Sequence, residues 1–229
     1  MTDRFTRRRS LARIVGLAAA ATGGAAWKLG DADGAGPLAV SSGAVACVLT
    51  PELTEGPYYV AGEKLRRDVT AGKPGVPLLL QLSVLGVSNC KPLQNATVEI
   101  WHCDALGVYS GAIAGHPGTN FLRGAQKTNA NGVATFQTIY PGWYPGRAVH
   151  IHVKVHVGGS IVHTGQLFFP AAVTAAVYKR TPYSSHGGTP DTPNASDAIF
   201  RNGGDKGMLS VKHSGSGYVA TVAMGVHAA

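Results

Sequence analysis

Residues 140–156 read YPGWYPGRAVHIHVKVH, and this segment is the most informative part of the chain. A turn rich in proline and glycine leads into a run in which apolar and polar side chains alternate. Such alternation is typical of a β-strand, because successive side chains point to opposite faces of a sheet. The apolar face comprises Val149, Ile151, Val153, Val155 and Val157, and the polar face comprises His150, His152, Lys154 and His156. The two histidines nearest the turn therefore point the same way, about 7 Å apart at the backbone, and can converge on one ion.

Other segments have the same strand character. Leu78, Leu80 and Leu82 alternate with Gln81 and Ser83, which predicts a half-buried strand from residue 76. Further strands are predicted at residues 97–102, 133–139, 160–169 and 218–226, separated by turns that use many of the 31 glycines and 13 prolines. Residues 170–178 are predicted to form a short helix. Sheets without covering helices must pack on each other, so we predict an all-β fold, a two-sheet antiparallel β-sandwich of the transthyretin type.

Residues 1–46 differ in composition from the rest of the chain. They contain the sequence TRRRSL at positions 6–11 and then an alanine-rich apolar stretch at 14–21. This arrangement resembles a twin-arginine export signal, and the stretch is shorter than the ~20 residues of a spanning helix. A flexible tether follows, with a candidate cleavage site at 44–46. We expect one domain at residues 47–229 in an exported protein, extracellular or associated with the cell envelope, with no stable membrane span; a disordered basic arm is the alternative for the leader.

The charge of the chain does not indicate a nucleic-acid-binding protein. The sequence has a net charge of +8, from 20 Lys and Arg against 12 Asp and Glu. The leader holds six of these basic and three of these acidic residues, which leaves a net charge of +5 on the remaining domain. The basic residues of that domain are scattered and are not interleaved with aromatic side chains. We therefore expect a small-molecule partner and no nucleic acid.

Three cysteines leave room for one disulfide bond. If residues 97–103 form an extended strand, Cys90 and Cys103 lie ~20 Å or more apart and cannot pair with each other. The sequence favours a bond between Cys47 and Cys90 without establishing it.

The histidine pair alone has two interpretations. An edge strand with its polar face in water would show the same spacing as a metal site. His156 lies farther from the turn, and a solvated or supporting role is expected for it. The remaining histidines are isolated along the chain, and no ligand role is expected for any of them: His102, His116, His163, His186, His213 and His227. Tyr144 lies six residues before His150 in the turn, and a second tyrosine, Tyr109, ends residues 101–109. Taken alone, a tyrosine is more often packed in a core than bound to a metal.

These segments resemble the intradiol ring-cleavage dioxygenase family. Residues 101–109, WHCDALGVY, match its W-(H/Q)-x-x-x-x-G-x-Y segment, residues 141–145 match its P-G-x-Y-P turn, and residues 150–152 match H-I-H. The resemblance implies an iron(III) ion held by Tyr109, Tyr144, His150 and His152. It also implies catalytic roles for Arg147 and for Gln166, which begins a Q-x-(F/Y)-F strand. Residues 55–59, EGPYY, resemble a segment that borders the family's pocket, so Tyr58, Tyr59 and Gly107 are expected at the substrate.

The resemblance also implies a reaction. A catechol binds the iron as a dianion, Tyr144 leaves the metal and accepts a proton, and O2 attacks the ring to give a muconic acid. Tyr109 stays bound, while Arg147 and Gln166 stabilise the developing negative charge. The donor set agrees with this, because phenolate oxygens are hard anions that suit iron(III). The family does not fix which catechol is used, and a homo-oligomer is left open.

Two other functions compete with ring cleavage. A transthyretin-like module could bind sugars or partners at the cell surface without catalysis, but it would not need four ligands together with Arg147 and Gln166. A zinc or copper hydrolase could use His150, His152 and His156, but it would leave both tyrosines without a role. Colour separates these hypotheses, because iron(III) bound to tyrosinate absorbs visible light and zinc does not.

Overall fold

The computed structural model describes residues 47–111 and 116–227. In this part of the chain nine strands form two sheets: β1 (Pro77–Gly86), β2 (Lys91–Pro92), β3 (Thr97–Trp101), β4 (Arg123–Lys127), β5 (Val133–Ile139), β6 (His150–Val157), β7 (Ser160–Phe168), β8 (Ser210–Ser214) and β9 (Gly217–Val226). Two short α-helices, α1 (Ala171–Val177) and α2 (Ala198–Arg201), follow β7, with 3-10 turns at Tyr183–Ser185, Asn194–Ser196 and Gly204–Gly207. The predicted two-sheet β-sandwich with little helix is confirmed.

The first sheet is built around β1. β1 pairs with β5 in antiparallel orientation and with β9 in parallel orientation, and β2 and β8 extend the sheet. The second sheet has the order β4-β3-β6-β7 and is antiparallel throughout. The parallel pair is one departure from a purely antiparallel sandwich. It arises because the last strand returns to the centre of the first sheet, beside β1, instead of extending an edge.

The core lies between the two sheets. Leu80 and Leu82 of β1, Phe136 of β5, and Ile151 and Val153 of β6 are fully buried in one continuous cluster. Each buried leucine or isoleucine side chain contributes roughly 1.5–3 kcal/mol to stability, so this cluster holds the sheets face to face. The apolar positions of residues 149–157 therefore face the core, as their alternation predicts.

The opposite face of β6 is also buried. His150, His152 and Lys154 are no more than 2% exposed, and β6 lies between β3 and β7 in the interior of its sheet. The cover comes from residues 50–69, whose backbone bonds to β7 at Thr164, to β4 at Ala125 and to β5 at Gln137. The interpretation of an edge strand with its polar face in water is therefore wrong for this strand.

The strands and the helix predicted from the sequence are found within one or two residues of their expected positions. All three cysteines, Cys47, Cys90 and Cys103, are free thiols, so the favoured disulfide is absent from the structure. Cys47 Sγ and the amide of Cys90 contact the same carbonyl oxygen, that of Gly86. The proposed leader lies outside the described residues. Within residues 47–111 and 116–227, no helix is long and apolar enough to cross a membrane.

Candidate metal centre

Two turns, each held by hydrogen bonds, carry the tyrosines Tyr109 and Tyr144. In the first turn, the carboxylate of Asp104 accepts hydrogen bonds from the amides of Leu106 and Val108, each at 3.0 Å, and Tyr109 follows immediately. The second turn contains Gly142, whose amide donates to the carbonyl oxygen of Asp104 at 3.0 Å. The turn that carries Tyr144 is therefore fixed against the turn that carries Tyr109.

The two imidazoles are oriented by β6 and its neighbours. The ring of His152 stacks on Trp101 of β3, with centroids 4.9 Å apart and planes 7° apart. His150 Nδ1 lies 2.6 Å from the carbonyl oxygen of Ala148. A carbonyl can only accept, so Nδ1 of His150 carries the proton and Nε2 presents its lone pair to the site.

The four side chains meet at one buried point. The hydroxyl of Tyr144 lies 3.1 Å from His150 Nε2, and His150 Nε2 lies 3.1 Å from His152 Nε2. The ring of Tyr109 is 5.6 Å from that of Tyr144 and 6.1 Å from that of His152. The Tyr109 hydroxyl is buried beside Tyr144, yet it makes no hydrogen bond of acceptable geometry with any described residue. The structure thus brings together all four predicted ligands.

Burial keeps these groups neutral in the absence of a cation. Burial, reinforced by the positive charge of Arg147, lowers the pKa of His150 to about 3. Burial and the neighbouring His150 likewise hold the pKa of His152 well below its usual value. Burial raises the pKa of Tyr144 to about 12 and raises the pKa of Tyr109 well above its usual value. Neutral imidazole is the form of histidine that binds metals, so both histidines are ready to act as ligands.

This donor set fits a highly charged ion. Two imidazole lone pairs 3.1 Å apart repel each other unless a proton or a cation lies between them. Phenols whose pKa is raised by burial lose their protons only to a strong Lewis acid, and two phenolates offset two positive charges. Iron(III) meets both conditions, whereas zinc is more usually held by cysteine, histidine or carboxylate.

Arg147 lies against the imidazoles. Its Nη1 is 3.4 Å from His150 Nε2, and its Nη2 donates to Oε1 of Gln166. Gln166 pairs with His152 across β6 and β7, and its Nε2 donates to the carbonyl oxygen of Thr54 at 2.8 Å. One guanidinium and one amide therefore face the four candidate ligands.

Comparison with known proteins identifies the family. The family model described as "Dioxygenase" matches residues 54–174, which contain all of these side chains. An intradiol ring-cleavage dioxygenase from Tetranychus urticae is 31% identical, with a TM-score of 0.75, over 79% of this chain and 95% of that one. This chain belongs to the intradiol ring-cleavage dioxygenase family.

Two further relatives show how far the family likeness extends. The dioxygenase domain of a dioxygenase carbohydrate-binding protein fusion from Streptomyces sp. SirexAA-E is 33% identical, with a TM-score of 0.62, over 80% of this chain and all of that one. Catechol 1,2-dioxygenase 2 from Acinetobacter lwoffii is 38% identical over 99 residues, 42% of this chain and 35% of the relative. The chain spans about a third of the length of that curated dioxygenase.

The three residues expected at the substrate occupy different places in this dioxygenase fold. The ring of Tyr58 stacks on Tyr109, with centroids 4.1 Å apart and planes 2° apart, so it lies directly at the site. Tyr59 lies behind Trp101, and its hydroxyl donates to Glu99 at 3.2 Å. Gly107 packs on the carbonyl oxygen of Trp143, and its positive φ of 82° marks it as a turn residue. Tyr58 therefore borders the site, whereas Gly107 shapes the turn that carries Tyr109.

Replacing Gly107 with alanine should lower the free energy of unfolding by about 3 kcal/mol, because the backbone is left-handed and the new methyl group meets a carbonyl. An added Cβ would lie 2.2 Å from the Trp143 oxygen. Gly118→Ala is the matched control, since Gly118 has a similar φ of 77° and open space around it. We expect about 1 kcal/mol there. Urea unfolding of the iron-free variants measures both, and equal losses would rule out the clash.

The competing metal site is not found. Among the residues that the structure describes, no three His, Cys, Asp or Glu side chains come together as a metal cluster. His156 Nε2 instead lies 3.4 Å from Glu99, and His102 is held by Thr138 and by the carbonyl of Cys103.

Two residues of the site were not predicted from the sequence. Trp101 and Asp197 were assigned no role, although both contact residues of the site. Asp197 precedes an apolar run, and this pattern indicates an ordinary helix N-cap.

Proposed function

We propose that this protein is a non-haem iron(III) dioxygenase that cleaves catechol-type rings between the two hydroxyls with O2, giving muconic acids. The observation that carries the proposal is the meeting of two phenols and two imidazoles at one buried point, with the Arg147 guanidinium 3.4 Å from His150. Tyr109, Tyr144, His150 and His152 would hold the ion. When bound, iron(III) would supply Lewis-acid chemistry that activates the catechol ring for reaction with O2.

The two tyrosines are suited to different tasks. Tyr109 is 2% exposed and lies under Tyr58, so its ring has no room to move. Tyr144 is less buried and sits in a turn between prolines. Because burial raises its pKa to about 12, the Oη atom of Tyr144 takes up a proton readily once it is not compensated by a cation. Tyr144 would therefore accept a proton from the substrate, while Tyr109 stays in place.

Arg147 and Gln166 supply electrostatic stabilisation. Negative charge develops on the substrate during ring cleavage, and the guanidinium is already positioned beside the ligand group. Trp101, Tyr58 and residues 50–69 exclude water from this point, which strengthens each charge interaction.

The charges around the site favour a neutral catechol. Each of four basic side chains in the surrounding layers is paired with a carboxylate: Arg147 with Asp197, Lys154 with Glu55, Arg123 with Glu63 and Lys73 with Asp104. Residues 112–115, AIAG, contain no ionisable side chain. A ring carboxylate would therefore be desolvated without a free cation from these four described side chains to pair with it. We propose simple or alkyl-substituted catechols as substrates in preference to protocatechuate.

Oxygen-electrode assays over a panel of catechols test the proposal. We expect the iron(III)-loaded protein to be coloured and to consume one O2 per catechol with release of a muconate, and the zinc-loaded protein to be colourless and inactive. The value of kcat/KM for catechol should exceed that for protocatechuate at least about 10-fold, the cost of an unpaired buried charge. Absence of oxygen uptake by protein that holds one iron per chain would refute the function. A preference for protocatechuate would refute only the substrate class.

A further inference from the structure

A carboxylate from a distant part of the chain anchors Arg147. Nε of Arg147 donates to Oδ2 of Asp197 at 2.9 Å, and the amide of Ala148 donates to the same oxygen at 2.8 Å. The other oxygen, Oδ1, accepts from the amides of Ile199 and Phe200 at the start of α2, at 2.7 and 3.0 Å. Asp197 is 1% exposed, so its carboxylate has exchanged water for these four donors.

This arrangement exceeds what a helix cap requires. A cap needs one oxygen, which Oδ1 provides, whereas Oδ2 is used entirely by the segment that carries Arg147. Burial would raise the pKa of Asp197, but the Ala148 and Phe200 amides and the Arg147 guanidinium outweigh it, so the pKa is lowered and the group stays charged. Asp197 also lies beyond the residues that the family model matches.

The geometry of arginine transmits this contact to the site. A guanidinium is planar with donors in a fixed fork, so an anchor at Nε sets the direction of both terminal nitrogens. In this position Nη1 faces His150 Nε2 at 3.4 Å, and Nη2 faces Gln166. Without Asp197, the long side chain of Arg147 would rotate among several conformers and its charge would spend less time at the ligand group.

We propose that Asp197 is a positioning residue for ring cleavage, which holds the Arg147 guanidinium against the ligand group before substrate charge develops. The inference rests on the proposed function for its catalytic consequence and on the contacts of the Asp197 carboxylate for its structural part. A charge that is already in place costs no reorganisation during the reaction, and this is the advantage that the anchor provides.

The variant Asp197→Asn tests this role with little change in shape. One amide oxygen can still cap α2, but the NH2 group then faces the Nε–H of Arg147 and the amide of Ala148 and can accept from neither. We expect kcat to fall about 10-fold, because a hydrogen bond to a charged group is lost. Iron content, and the dissociation constant for catechol from anaerobic titration of the visible absorption, should stay within about twofold.

Asp191→Asn is the matched control. Asp191 also accepts from the segment around Arg147, through the amide of Gly146 at 3.2 Å from both carboxylate oxygens, but it is exposed and does not contact the guanidinium. Its loss should change kcat by less than about twofold, as for other exposed charges.

Two measurements separate positioning from general stability. In a double-mutant cycle, Asp197→Asn should have almost no further effect on kcat once Arg147 is alanine; an equal loss in both backgrounds would overturn the proposal. By NMR of the iron-free proteins, the slowly exchanging Nε–H of Arg147 should be present in the parent and in Asp191→Asn and lost in Asp197→Asn. Its persistence in Asp197→Asn would also overturn the proposal. The NMR result decides the anchoring even if the parent shows no turnover, an outcome that would count against the proposed function alone.

Discussion

Replacing His152 with alanine should leave a protein that no longer retains iron and that cleaves catechol at least about 100-fold more slowly, since even groups behind metal ligands change affinity or activity roughly 10- to 100-fold. His152 Nε2 lies 3.1 Å from His150 Nε2, and its ring is fixed by stacking on Trp101. The substitution leaves His150 as the single imidazole beside the two phenols of the predicted ligand set. Iron per chain after desalting, the visible absorption and oxygen uptake measure the effect.

The control for that experiment is His213→Ala. His213 is exposed on β8, in the other sheet, and its loss should leave iron content and turnover within about twofold of the parent, as for most surface substitutions. Thermal unfolding of the iron-free proteins separates lost metal binding from lost folding, because removing a buried ring also opens a cavity. An alanine variant of His152 that holds one iron and cleaves catechol at the parental rate would remove His152 from the ligand set.

Strands with a buried apolar face could be predicted from the sequence, and strands without one could not. The alternation in residues 149–157 and 76–84 predicted β6 and β1, because each side chain faces either the core or the opposite layer. β4, with the sequence RGAQK, and β8, with SVKHS, lack such a pattern. They form as strands because β3 and β9 offer them unpaired backbone groups. The parallel register of β1 with β9 also depends on contacts between distant residues.

The residues of the candidate site likewise fall into those that a local pattern predicts and those that it does not. Tyr144, His150 and His152 lie within one turn and one strand, so local pattern and motif were enough to propose that they meet. The anchor of Arg147 at Asp197 joins residues 50 positions apart. The stack of Tyr58 on Tyr109 joins residues 51 positions apart, and Tyr58 was expected near the site only through the family resemblance of residues 55–59. No local signal encodes such contacts, since they depend on how the loops and the C-terminal residues close over the second sheet. Tyr59 shows the same limit, because its neighbour Tyr58 borders the site while Tyr59 itself bonds to Glu99.

Replacing Arg147 with alanine should reduce kcat on the order of 100-fold, about 3 kcal/mol in the barrier, with iron retained. The guanidinium places a positive charge beside the candidate ligands, and Asp197 and Gln166 hold it in place. Its loss removes stabilisation of negative charge in the transition state and leaves the four ligands intact. The visible spectrum should therefore persist while turnover falls, which distinguishes this variant from His152→Ala.

Two further arginine variants, one at Arg147 and one control, test which property of the guanidinium the reaction uses. Arg147→Lys keeps the positive charge but lacks the planar fork that reaches Asp197 and Gln166 together, so we expect a loss intermediate between alanine and the parent. Arg201→Ala, at an exposed arginine in α2, should leave kcat unchanged. The alanine variant of Arg147 leaves Asp197 as a buried carboxylate with fewer partners, so its unfolding must be measured beside its kinetics. A folded, iron-loaded Arg147→Ala protein with parental kcat would show that the charge beside His150 takes no part in ring cleavage.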